Sequence, residues 1–379
     1  MKPVSERIAT TAIFLANGLG IGAWAVEVPR IKEALSLSDT ALGLALFAFA
    51  LGAIVAMPLA GRLAPRFGSG RVTAFLGIAF VIALPLPAFV PDFAVLCAVL
   101  FVLGAANGAL DVSMNGHASA IEGEWHAPIM SSFHAAWSVG GLLGAASGAA
   151  LQVNGIGTMG GLLIPDAVIA MLVLAAAVFA LRDIGPRVQK AASGFVLPSG
   201  AVMKLAGLAF LCMLVEGAVA DWSAVFLRSA LDTQASAAAL GYSSFAFAMA
   251  ACRVVGDVSV RRLGSSAVVA IGGLIAALGL ALVLGYPNVV TACVGFALVG
   301  IGLANIVPVI FSAAGRSTST PAVGVSMAAT AGYAGFLVGP PMIGFAAGFL
   351  GLRLALFALV IATLVVCLLG GKAVRSAAA

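Results

Sequence analysis

The chain has 379 residues, of which 62% are hydrophobic and only 9% charged, with a formal net charge of +5. A water-soluble domain typically carries about 25% charged residues, so this composition calls for lipid as the solvent. The basic excess is dispersed in short loops, which excludes a nucleic-acid-binding surface, and the same loops leave no room for a soluble catalytic domain.

The apolar runs are continuous over about 20 residues and do not alternate over about 10, which predicts helices and not a barrel. In chain order they cover residues 8–28, 39–60, 73–91, 94–117, 128–151, 161–181, 203–227, 236–256, 266–286, 289–313, 322–348 and 351–371. Twelve spans put both termini on one side. Fifteen basic residues, from Lys2 and Arg7 to Lys372 and Arg375, fall on that side, against Arg30, Lys32, Arg228 and Arg353 opposite. The positive-inside rule then makes both termini cytoplasmic.

The first run follows Lys2 and Arg7 but is too long for a signal peptide, and Trp24, Glu27 and Pro29 make a poor cleavage site, so it is read as the first helix. Arg182, Asp183, Pro186, Arg187, Lys190 and Pro198 mark the main cytoplasmic linker. The expected organisation is an N-terminal six-helix bundle over 1–183, a linker over 184–200 and a C-terminal six-helix bundle over 201–379. All five cysteines lie inside spans, as buried thiols with neither a disulfide framework nor metal spacing. No cofactor or metal is expected.

The second half repeats the first. Trp24 with Arg30 recurs as Trp222 with Arg228, and Gly104, Ala106 and Asn107 recur as Gly302, Ala304 and Asn305, both at an offset of 198 residues. Ser131, Gly140 and Gly144 recur as Ser326, Gly335 and Gly339 at an offset of 195. Two similar membrane halves are a way to build a protein that rocks about a central site.

The turn between spans two and three reads Gly61-Arg62-Leu63-Ala64-Pro65-Arg66-Phe67-Gly68-Ser69-Gly70-Arg71, and a degenerate copy, Gly256-Asp257 through Arg261-Arg262-Leu263-Gly264, occupies the matching turn. The first copy resembles the loop signature of the major facilitator superfamily, with Pro65 where an acidic residue would stand. The resemblance implies an all-α membrane fold of two pseudo-symmetric six-helix bundles, acting as a secondary transporter and not as an enzyme. It also gives Arg66 a gating or structural role.

Intramembrane ionisable groups are costly unless they are paired or functional. Asn107, Asp111 and Asn115 follow i, i+4, i+8 and lie within an arc of about 80° on span four. His134 stands at a matching depth on span five, with Ser131 and Ser138 on its face. An acid and an imidazole so placed can share or exchange a proton; a static bond fixing the two helices is the plainer alternative.

Gly108-Ala109-Leu110-Asp111-Val112-Ser113-Met114-Asn115 resembles the fourth-helix motif of the fucose-permease-type proton symporters, which places Asp111 on that family's proton-carrying acid. Ser132-Phe133-His134 resembles its fifth-helix segment, with His134 at an Asn position. Pro29 also matches, whereas the family's first-helix acid falls on Ala25, with Glu27 half a turn away. The pattern is similar to permeases near that branch, some of them found with genes for inositol-type compounds.

In the second half Glu216 lies near the middle of span seven and is a second candidate proton-coupling acid. Asp221 and Arg228 share a face and are expected to pair at the outer end; Arg253 and Asp257, one turn apart, are expected to pair at the cytoplasmic end of span eight. In span one Asn17, Gly20, Trp24 and Glu27 form a stripe, with Asn305 and Tyr333 in comparable positions of the second half. Aromatic faces beside amides suit a small polar solute, so Asn17, Trp24, Glu27, Asn107, Asn115, Ser138, Asn305 and Tyr333 are the candidate binding residues. Trp24 and Trp222 also suit an interfacial aromatic belt.

The resulting expectation is a monomeric, proton-coupled importer of a sugar- or cyclitol-like solute in the bacterial inner membrane, with protons, solute and lipid as partners. The alternatives are proton-coupled efflux and a transport-inactive sensor. Efflux is disfavoured because Gly144 in span five is followed by Ala145 and not by proline. No Gly-Lys-Ser/Thr loop is present to bind ATP.

Overall fold

The computed structural model describes residues 3–37, 39–179, 181–183, 199–231, 235–286 and 288–377, with the side chains at 39, 40, 224, 228–231, 235–239 and 340 outside the description. The linker expected over 184–200 therefore lies almost wholly outside the described residues, as does the side chain of Arg228. Among the described residues the secondary structure is helical, with no strand.

In chain order the helices are α1 (Val4–Ala34), α2 (Asp39–Phe67), α3 (Ser69–Ala83), a 3-10 turn (Leu86–Phe89), α4 (Phe93–Trp125), α5 (Met130–Val153), α6 (Thr158–Phe179) and α7 (Gly200–Leu231). Then follow α8 (Ala235–Val254), α9 (Gly256–Leu263), α10 (Ser265–Gly285), α11 (Val289–Leu303), α12 (Ile306–Arg316), α13 (Pro321–Leu350) and α14 (Leu352–Ser376). Each expected span falls on a helix. Among the described residues ten helices are long and apolar enough to cross a membrane, or eleven if the pair α8–α9, bent by 61°, counts as one span. The helix α5 is outside that number: Ser131, Ser132, His134, Ser138 and Ser147 dilute its apolar character.

Local chemistry sets several boundaries. Asp92 caps α4 by accepting from the Val95 N–H at 2.9 Å, and Asn288 with Thr291 forms a reciprocal capping box on α11. Gly68 and Gly264, in the two matching loop signatures, turn the chain at φ +98° and +81°, a left-handed conformation that suits glycine. Span ten is one apolar run in the sequence but breaks into α11 and α12 at Ala304–Asn305.

The chain divides into two compact units. Unit 1 holds residues 1–126, 133–196 and 318–326; unit 2 holds 127–132, 197–317 and 327–379. In unit 1, Gly18 and Gly22 of α1 face carbonyl oxygens of Trp137 and Gly141, and Gly140 and Gly144 of α5 face those of Leu15 and Leu19, so a Cβ at any of the four would clash with backbone. The repeat places Gly335 and Gly339 of α13 against the carbonyls of Phe210 and Leu214 of α7 in unit 2. Repeated glycines thus serve one purpose in both halves: they let two helix backbones touch. Within unit 1 Ser326 donates to the Met57 carbonyl at 2.9 Å, and within unit 2 the Ser132 N–H donates to Asp257 at 3.2 Å.

Candidate functional site

The polar residues of unit 1 form two hydrogen-bonded chains on the glycine-backed pair α1–α5 and on α4. In the first, Asn115 Nδ2 donates to the Asp111 backbone carbonyl at 2.9 Å and to its carboxylate Oδ1 at 3.2 Å. Because a carbonyl can only accept, this fixes which end of the amide is NH2. Asn115 Oδ1 then faces His134 Nε2 at 3.0 Å and accepts its hydrogen, so His134 carries a proton on Nε2. The acid and the imidazole are therefore joined through Asn115, a fully buried amide.

In the second chain Trp137 Nε1 donates to Asn17 Oδ1 at 2.8 Å, and Asn17 Nδ2 donates to Asn107 Oδ1 at 2.8 Å. Asn107 lies one turn before Asp111 on α4, and Trp137 lies three residues after His134 on α5. The two chains close into a circuit through α1, α4 and α5. Asn17, Asn107 and Asn115 are buried, whereas Asp111, His134, Trp137 and Ser138 are partly exposed. On α5 that partly exposed stripe is separate from the lipid-type stripe of Val139, Leu142 and Leu143 and from the glycine edge on α1. Phe14 and Phe133 stack beneath it, with the Phe14 ring edge-on to His134 at 5.5 Å.

The carboxylate of Asp111 is unevenly served. Its Oδ1 accepts from Asn115, while Oδ2 is buried with no hydrogen-bond partner. That oxygen is the atom left to carry a proton or to meet a donor.

Glu27 stands apart from this circuit. It is fully buried at the far end of α1, 3.6 Å from Arg30, within 3.3 Å of Gln152 Nε2 and packed against Gly161, where a Cβ would collide with its carboxylate. Arg30 in turn donates to the Ile156 carbonyl at 2.7 Å. These contacts tie α1 to the end of α5 and the start of α6, and Glu27 is not brought to the Asp111 stripe. Trp24 is buried as well, at 7% exposure.

In unit 2 the Asn305 amide donates to the Cys252 carbonyl at 3.2 Å, and Arg253 Nε donates to the Ala304 carbonyl at 3.2 Å. Arg253 and Asp257 are both buried, and Asp257 takes the Ser132 N–H. Glu216, partly buried on α7, and Arg253 act on each other electrostatically. Asp221 is exposed and lines a groove of about 310 Å³ with Trp222, Val225, Pro341 and Gly344; its expected partner Arg228 has no described side chain. Tyr333 is partly exposed on α13. Arg66 is exposed, with its guanidinium 5.1 Å from the Phe67 ring.

Three polar residues carry weight that the pattern alone did not reveal. Trp137 belongs to the circuit. Asp166, 8% exposed on α6, has a buried carboxylate oxygen without a partner, and a lone acid in an apolar span was itself the available signal. His117 is fully buried on α4, with Nδ1 2.8 Å from Ser69 Oγ. Among the described residues no three His, Cys, Asp or Glu side chains gather into a metal-binding group.

The family model of the Major Facilitator Superfamily matches residues 10–215. An MFS-type transporter of Yersinia pestis is 38% identical over 353 residues, covering 93% of this chain and 91% of that protein. The chain belongs to the major facilitator superfamily. The membrane protein MosC of Rhizobium meliloti is 35% identical over 373 residues, covering 96% of this chain and 89% of MosC. Among solved structures, a variant of the Escherichia coli fucose:proton symporter FucP superposes with a TM-score of 0.77 at 16% identity, covering 100% of this chain and 99% of the other. The human organic anion transporter MFSD10 also reaches 0.77 at 16% identity, covering 96% and 99%. At such identity these likenesses speak for the fold. The chain is thus an integral, multi-pass membrane transporter and not an enzyme.

Proposed function

We propose that this major facilitator transporter couples the entry of protons to the uptake of a small, uncharged polar solute, with Asp111 as the proton carrier of unit 1. The observation that carries the reading is the carboxylate of Asp111, bound by Asn115 at one oxygen and left without a hydrogen-bond partner at the other. A proton on Oδ2 leaves the Asn115 bond to Oδ1 in place and removes a charge from a buried position. His134, whose Nε2 hydrogen is committed to Asn115, holds that amide in register and can pass a proton through its other ring nitrogen. Glu216, with Arg253 as a counter-charge, is the second titrating acid.

In this reading α5 is a span despite its polar content, which makes twelve, with both termini in the cytoplasm of the bacterial inner membrane and a monomer as the working unit. Protonation of Asp111 biases one state of alternating access over the other. One proton moving down a 100 mV potential supplies about 2.3 kcal/mol, which sustains roughly fifty-fold accumulation. Glu27 acts by holding α1 to α5 and α6 and does not touch solute.

Replacement of Asp111 by Asn tests the assignment in proteoliposomes loaded with myo-inositol or L-fucose. Uptake driven by an imposed pH gradient is expected to vanish, while exchange of labelled for unlabelled solute survives. Loss of both activities, or of neither, overturns the role given to Asp111.

A further inference from the structure

The indole of Trp137 has no part in the proton chemistry described above, yet its placement is constrained from two sides. Its N–H is already committed to Asn17 at 2.8 Å, so the ring has no donor left for a ligand and can offer only its apolar face. The ring is partly exposed and sits on the same stripe of α5 as His134 and Ser138. The Asn17 amide that holds the indole is itself held by Asn107, one turn from Asp111. Gly18, the neighbour of Asn17, lies directly on the Trp137 carbonyl, so the α1 and α5 ends of this chain cannot slide apart.

We propose that Trp137 is the solute platform of unit 1 and that its bond to Asn17 ties solute binding to the state of Asp111. The class of solute that fits is a saturated, hydroxylated ring. Its C–H face covers the indole, which has no hydrogen bond to give, and its hydroxyls turn to the polar edges at Asp111 and Ser138. An acyclic polyol cannot present a rigid apolar face and pays rotamer entropy to mimic one. This solute assignment rests on the uptake reading above. The ionisable groups facing the platform are Asp111 on α4 and His134 on α5; α1 carries none between Arg7 and Glu27, and α2 none between Asp39 and Arg62.

Binding of myo-inositol, L-fucose and the acyclic sorbitol to the purified full-length protein tests this, with affinity read from ligand-induced thermal shifts between pH 5.5 and 8. The wild type is expected to bind a ring polyol with a pH-dependent Kd and to bind sorbitol at least about tenfold more weakly, since tenfold corresponds to about 1.4 kcal/mol. Trp137→Ala should lose about tenfold or more in ring-polyol affinity. Trp137→Phe keeps a ring but gives up the bond to Asn17, so it should stay within a few-fold of wild type while its Kd no longer changes with pH.

Unchanged affinity in Trp137→Ala, equal binding of sorbitol, or binding of no ring polyol by the wild type overturns the platform. A Phe variant with the full pH dependence overturns the coupling. If the wild type binds ring polyols with no pH dependence, the proton-coupling reading fails while the Ala variant still decides the platform. Where Trp137→Ala does not fold, Trp137→Leu takes its place in the comparison.

Discussion

Arg253 and Asn305 each donate a side-chain hydrogen bond to the residue beside the other: Arg253 Nε to the Ala304 carbonyl and Asn305 Nδ2 to the Cys252 carbonyl, both at 3.2 Å. The first of these bonds has a cause in the sequence. Pro308 has no N–H, so the carbonyl of Ala304, four residues earlier, has no helical donor, and α11 breaks there from α12. Arg253 supplies the missing donor. Gly256, at the kink between α8 and α9, permits the approach, because a Cβ there would strike Asn305 Oδ1.

Replacing Arg253 by Leu leaves a buried carbonyl unpaired, with an expected cost of about 1–3 kcal/mol. Pro308→Ala restores an N–H to that carbonyl, so the loss from Arg253→Leu should be smaller in the Pro308→Ala background. Melting temperatures of the four proteins of this cycle check it. An equal loss in both backgrounds means that Arg253 does not serve the helix break.

The Glu27–Arg30 pair predicts an asymmetry. Arg30→Met removes the nearest positive charge from a fully buried carboxylate and should cost about 1–3 kcal/mol, below the usual range for a sealed pair because Arg30 is 30% exposed. Glu27→Gln removes the buried charge and should be milder, with uptake retained. Thermal stability and proteoliposome uptake of both variants distinguish this from direct solute contact, in which Glu27→Gln would lose transport while remaining stable.

Ser69 and His117 offer a second asymmetry. His117 is buried with Nε2 lacking a hydrogen-bond partner, so Ser69→Ala would leave neither ring nitrogen with a side-chain partner. His117→Leu removes the polar group altogether and is expected to destabilise less than Ser69→Ala. Detergent melting curves of the two variants are the measurement.

Glycines divide sharply by surroundings. Gly18→Leu has backbone of α5 where its side chain must go and should not yield a monodisperse protein. Gly43 has nothing within 4 Å of an added Cβ, and Gly43→Ala should be neutral or stabilise by up to about 1 kcal/mol. Size-exclusion profiles and melting temperatures decide between the two outcomes.

The helices were legible because lipid demands long apolar runs, and the duplication was legible because glycine contacts between backbones tolerate no substitute. The shared face of Asp111 and Asn115 followed from helical spacing alone. What spacing does not reveal is which group stands between two others. That Asn115 joins Asp111 to His134, and that Trp137 reaches Asn17 across 120 residues of chain, depends on the packing of three helices. The break at Asn305 was missed for a different reason: Pro308 is visible in the sequence, but continuous hydropathy hides the loss of one N–H. Glu27 appeared to share the Asn17 stripe, although ten residues of helix carried it into the contacts of α5 and α6.

The seam where Gly18 and Gly22 meet α5, and Gly140 and Gly144 meet α1, has a mechanical consequence. With no side chains between them to act as bearings, the two rods cannot roll independently, and the platform of His134, Trp137 and Ser138 travels with α1 as a single stiff plate. Changes of access in this half must then come from the plate tilting as a whole, while local adjustment is confined to the torsions of Asp111 and the groups that touch it.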